Sequence, residues 1–177
     1  MQQTVSVDDA AARGERLLLL GVDMLTEASG RLRDDRSPDL QAIRRDPLPF
    51  LNATHHLLLS QAFARRHGYK LHDQLSLVTS SGKRAFEVWG LIDDQGAGAA
   101  FGGAVAVMYY QALQLAFARG SNIDRIEVAV TPGQPLASVE RALAERFGPG
   151  FVVERPAGKG ERIGRMLAED RPAIASI

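Results

Sequence analysis

The sequence predicts an α+β fold built in two parts. Three observations predict it. The apolar runs are strand-sized; the longest, Leu17–Val22, falls far short of the ~18–20 residues that span a bilayer. Helical stretches with their own start and stop residues fall between these runs. Near the C-terminal end, an alternating segment, an amphipathic helix and a second short apolar segment follow one another with tight connections, the pattern of a β-α-β unit.

Residues 1–15 are polar and read as a frayed end, although Thr4-Val5-Ser6-Val7 alternates like a strand. Arg16–Val22 is flanked by charge, and its length favours a buried strand over a helix. Residues 24–46 are ambiguous: Met24, Leu25, Ala28 and Leu32 suit one or two amphipathic turns, and Arg31–Arg45 reads as a solvated, charged segment broken at Ser37-Pro38. Asp46-Pro47-Leu48-Pro49 cannot continue a helix, because each proline biases its predecessor towards extended geometry, and it marks the start of the second part.

His56–Leu59 is a short strand. Ser60 then caps a helix over Gln61–His67, which Gly68 stops in the left-handed conformation. Gln74–Thr79 alternates, Ser80-Ser81-Gly82-Lys83 turns, and Arg84–Ile92 returns as the second arm of a hairpin. Asp93–Gly103 is a loop, Ala104–Met108 a strand and Tyr109–Ala118 a helix. Arg125–Val130 alternates, Leu136–Phe147 is amphipathic with Pro135 before it and Gly148 after it, and Phe151–Glu154 is a final strand. Ile163, Met166 and Leu167 suggest a last helix over 159–169.

Composition excludes several classes. Lys+Arg and Asp+Glu both number 21, so the chain lacks the basic excess of a nucleic-acid binder. With no cysteine, disulfides, thiol catalysis and thiolate metal sites are excluded. The first residues carry acids and no apolar core, unlike a signal peptide.

Three signatures carry a family resemblance. The first is Leu59-Ser60-Gln61-Ala62-Phe63-Ala64 followed by Gly68-Tyr69-Lys70-Leu71-His72-Asp73-Gln74-Leu75. The second is Phe86-Glu87-Val88-Trp89-Gly90-Leu91-Ile92-Asp93. The third is Ala100-Phe101-Gly102-Gly103 leading into Val105-Ala106-Val107-Met108. In this order they resemble the extracytoplasmic core domain of FtsX-like ABC transporter permeases, the type also found in macrolide exporters. Two positions depart from the family pattern: His72 stands where glycine is usual, and Tyr109 where aspartate is frequent.

The resemblance implies a small β-barrel-like subdomain, residues 50–119, inserted in a discontinuous βαβ-type subdomain, residues 15–49 plus 120–168. Residues 1–14 and 169–177 are expected to be flexible ends. It implies a piece of a permease whose membrane helices lie outside this sequence, on the periplasmic face of a bacterial inner membrane. The expected role is to couple ATP-driven motion to export or release of a hydrophobic or lipid-linked substrate. The expected partners are a separate ABC ATPase subunit, a second permease copy, and a periplasmic protein or lipid-like substrate. By itself the domain is expected to be a monomer or weak dimer, with no enzymatic activity, cofactor, metal or nucleic-acid partner.

The chemistry-bearing residues give alternatives. His55 and His56, with His67 and His72, suggest a metal cluster, but adjacent strand residues point to opposite faces and no H-x-x-x-H pair occurs, so surface or half-buried histidines are expected. His56, Ser60 and Asp73 suggest a nucleophilic site, against which stands the cap role of Ser60. The G-x-G-x-x-G spacing fails at Phe101, so Gln95, Gly96, Gly98, Phe101 and Gly102 are expected to form a partner-contact loop rather than a phosphate cradle. Asp93-Asp94 reads as a solvated turn and Trp89 as core. Two other functional classes stay open: a self-contained barrel enzyme or ligand-binding protein using the His55/His56/Ser60 region, and an adaptor with a double-psi-like barrel of the kind attached to AAA-type ATPases.

Overall fold

The computed structural model describes residues 1–25, 32, 35–126, 128 and 130–153. Residues 1–127 form one compact unit and 128–177 a second. The first unit is built on a six-stranded sheet of β1 (Gln2–Ser6), β2 (Arg16–Val22), β3 (His56–Ser60), β4 (Gln74–Thr79), β5 (Gly82–Ile92) and β6 (Val105–Tyr109). Their order is β1-β2-β6-β3-β5-β4. The β2–β6 and β3–β5 pairs are parallel and the other three antiparallel. The sheet curls into a half-barrel. Its two outermost strands approach at one end, where Val7 bridges Leu77 and the Asp8 N–H donates to Ser76 O at 2.8 Å. This is an α+β fold with a barrel-like sheet, as the sequence predicts. β2 comes from the segment expected in the α/β part, yet it shares the sheet with β6 and β3 from the β-rich part.

The central strands β2, β6 and β3 are buried on both faces, which is why they read as continuous apolar runs, whereas β4 alternates between buried and exposed residues. Leu17, Leu19, Leu57, Leu59, Ala106 and Met108 face one core, packed under Phe63 and Ala64 of α3 (Gln61–His67) and Ala112 and Leu113 of α4 (Tyr110–Ala116). Leu18, Leu20, Leu58, Val105 and Val107 face a second core. Leu40 and Ile43 of α1 (Pro38–Arg45) and Phe50 of α2 (Leu48–Leu51) cover that one.

β5 serves both. Its register against β3 shifts between Leu57 and Leu58, so that Leu57 opposes Val88 but Leu58 opposes Gly90. Trp89 is the extra residue of this bulge. Before it, Phe86 and Val88 face the first core; after it, Leu91 does, and Ile92 turns to the second. A bulge re-aims the side chains that follow it.

Several elements differ from expectation. Residues 2–6 form β1 rather than part of a frayed end, because the bare edge of β2 pairs with them in register from Gln2↔Leu20 to Ser6↔Arg16. The charged stretch before Asp46 contains α1. Pro38 sits in its first turn beside Asp39, Arg44 and Arg45 close it, and Leu40 and Ile43 give it a buried stripe. The Pro-Leu-Pro stretch holds the one-turn α2, since prolines fit a helix's first turn, where no N–H is needed.

In the second unit, α5 (Leu136–Phe147) forms with the bounds its periodicity predicts and ends at Gly148 with φ 75°. The alternation at 125–130 and the apolar segment at 151–154 predict strands, but the described residues there carry none. Ile126, Val128 and Val152 are exposed. Alternation makes a strand only where a neighbour accepts its hydrogen bonds. The helix expected over 159–169 and the tail 169–177 lie outside the described residues.

Candidate functional site

Three of the chain's four histidines converge on one carboxylate. The parallel β3–β5 register sets His56 opposite Glu87. The Glu87 N–H donates to His55 O at 2.8 Å, which fixes the residue just before β3 against the same strand. One donor atom each from His55, His56 and Glu87 lie within 4.8 Å of one another. His56 Nε2 stands 3.7 Å from Glu87 Oε2, and His72 Nδ1 lies 2.8 Å from Glu87 Oε1. The alternation argument misses this cluster because His55 lies outside the strand, where its ring meets the His56 ring edge-on at 4.7 Å.

Trp89 organises the rings. It stacks on His56 with centroids 4.0 Å apart and planes 16° apart, and meets His72 edge-on at 5.6 Å. His56 is buried, its side chain only 9% exposed, and its Nδ1 is buried without a hydrogen bond. Burial is the largest cause holding the His56 pKa below the ordinary imidazole value. Nearby His55 adds to it, Glu87 and the Pro49 backbone oppose it, and His72 lowers it a little further. The ring is therefore neutral near pH 7. The remaining histidine, His67, sits apart, 3.2 Å from Glu15.

Ser60 and Asp73 act on the backbone. The Ser60 hydroxyl donates to Gly103 O and accepts from the Phe63 N–H at 3.3 Å, so it caps α3 and ties that helix to the 3₁₀ turn Ala100–Gly103. The Asp73 carboxylate accepts from the Lys70 N–H at 2.7 Å and closes the turn into β4. With both side chains so engaged, no nucleophilic relay is assembled around Ser60. Ser60→Ala is expected to cost about 1–2 kcal/mol in urea unfolding, because it orphans a buried N–H and a carbonyl together.

Asp93 and Asp94 are not a solvated turn. The Asp94 carboxylate accepts from the Ala62 N–H and pairs with Arg65, while Asp93 accepts from the Arg36 N–H at 3.2 Å. Of the loop residues, Gln95, Gly96 and Gly102 are exposed, Gly98 is buried, and Phe101 is half-buried against both cores. Phe101 takes φ 52°, in the left-handed region. Gly98 has no room for a side chain, since a Cβ there would stand 1.9 Å from Asp93 O. Glu87 was not singled out by the sequence. Only the pairing of β3 with β5 brings it to the histidines. No family model matches the chain, and no curated protein matches it.

Proposed function

We propose that the chain is an extracytoplasmic domain of an FtsX-like ABC transporter permease, coupling ATP-driven membrane motion to export or release of a hydrophobic or lipid-linked substrate. One observation carries the reading: the residues that make the resemblance are those that steer the backbone around the half-barrel. Gly68 ends α3 at φ 79°, His72 takes φ 67°, and Asp73 closes the next turn. Gly90 lets α1 lie against β5. The three signatures run in order from β3 to β6 as successive features of one sheet.

A sheet whose central strands are packed on both faces resists deformation, which suits a part that transmits displacement. Its partners in this reading are a separate ATPase and a second permease copy, met through membrane segments, with the loop carrying Phe101 meeting a periplasmic protein or a lipid-like substrate. A shallow depression of about 330 Å³ lined by Ala64, Tyr69 and Leu91, together with Arg65 and Lys70, offers a further apolar surface with cationic groups. No helix among the described residues is long and apolar enough to cross a membrane.

Protease accessibility tests the reading. In spheroplasts expressing the full-length reading frame, protease added outside is expected to cleave this domain, and the protein is expected to fractionate with the inner membrane and its ATPase. Recovery in the cytosol, protected from protease, overturns the proposal.

A further inference from the structure

We propose that His55, His56 and Glu87 bind one divalent transition-metal ion of the zinc class. This goes beyond the permease reading and does not depend on it. Two imidazoles and a carboxylate are a donor set that zinc favours, and three protein ligands leave one position of a tetrahedron for water.

The spacing is near what the ion needs. Bonds of about 2.1 Å in a tetrahedron set ligand atoms about 3.4 Å apart. His56 Nε2 and Glu87 Oε2 are already 3.7 Å apart, and the whole set lies within 4.8 Å. His55 is exposed, so rotation of its side chain closes the remaining gap without disturbing a core.

The surroundings hold the ligands in place. Trp89 stacked on His56 fixes the plane of that ring. His72 holds Glu87 by one carboxylate oxygen, Oε1, and leaves Oε2 turned to His56. Metal-binding carboxylates are commonly held in this way by a second hydrogen-bonding partner. His72 does so from φ 67°, a left-handed conformation strained for a residue other than glycine. Glycine would relieve that strain but lose the hold on Glu87, which makes His72 a positioning residue.

The test uses the tag-free, chelator-stripped 177-residue chain. Zn²⁺ is titrated by calorimetry, and Ni²⁺ by quenching of Trp89, the single tryptophan. One ion per chain is expected, with micromolar or tighter binding and quenching that saturates at the same stoichiometry. His55→Ala and Glu87→Gln are each expected to weaken binding by about tenfold or more, and His67→Ala to leave it unchanged. His55→Ala keeps the test valid, since an exposed side chain contributes little to folding. His72→Gly is expected to weaken binding by about tenfold while the chain stays as stable as the parent. No saturable binding up to about 1 mM Zn²⁺, roughly the 4 kcal/mol limit of a weak site, overturns the proposal. So does binding that survives His55→Ala and Glu87→Gln. Unchanged affinity in His72→Gly overturns the positioning role.

Discussion

Replacing the half-buried Asp9 with alanine is expected to cost about 3 kcal/mol. Asp9 lies in the β1–β2 connection, and its carboxylate joins three parts of the chain. Oδ1 accepts from the Tyr69 hydroxyl and from the N–H groups of Ala11 and Ala12, at 3.2 and 3.3 Å. Oδ2 accepts from the Ser76 N–H at 3.2 Å. Besides these bonds, the edges of the half-barrel are joined by the Val7–Leu77 bridge and the Asp8–Ser76 hydrogen bond. Alanine leaves the Tyr69 hydroxyl and the Ser76 N–H without their acceptor and removes one of the ties that hold β4 to the β1–β2 connection. Urea unfolding measures the loss, and amide exchange at Ser76 and Leu77 locates it. A change below about 0.5 kcal/mol, the range of ordinary surface substitutions, would show that the closure carries no weight.

Alkaline titration reads the same contact. Burial first, and then the hydrogen bond to Asp9, raise the Tyr69 phenol well above its ordinary value. Above about pH 10 the unfolded chain therefore releases a proton that the folded chain keeps. Stability from this group is complete below that pH and falls as pH rises beyond it. Tyr69→Phe is expected to flatten that part of the profile.

Gly90→Val is expected to cost about 2–3 kcal/mol by overpacking. A Cβ at Gly90 would stand 2.9 Å from both Asp39 Cβ and Leu58 Cδ2. Leu58 is fully buried in the middle of the sheet with little room to turn aside, so the segment around α1 is expected to be displaced. That segment is bound to the end of β5 that β4 does not cover and to the residue after it: the Leu91 N–H donates to Asp39 at 2.8 Å and the Asp93 N–H to Asp35 at 2.9 Å. Pushing α1 away breaks these bonds and uncovers the second core. Amide exchange at Leu91 and Asp93 is expected to accelerate along with the loss in urea. Normal protection at both amides with an unchanged unfolding midpoint would show that the close approach is not needed.

What the sequence made legible was local. The hairpin of β4 and β5, the Ser60 cap, the Gly68 stop and the bounds of α5 each follow from a few neighbouring residues. α1 was hidden by its charges, although Leu40 and Ile43 carried the helical spacing. Its role appears only with β5 beside it, because Asp35 and Asp39 spend their charge on backbone N–H groups of a distant strand. The histidine cluster was illegible for the same reason. The parallel pairing that sets His56 against Glu87 is not written in the periodicity of either strand. The segments at 125–130 and 151–154 differ in the other direction: one alternates and the other is apolar, yet their described residues form no strand.

The bulge at Trp89 has a thermodynamic consequence. Because β5 lends side chains to one apolar compartment before Trp89 and to both after it, neither compartment can melt while the other survives. Residues 1–127 should therefore denature in a single sharp step, reported alike by tryptophan emission and by circular dichroism.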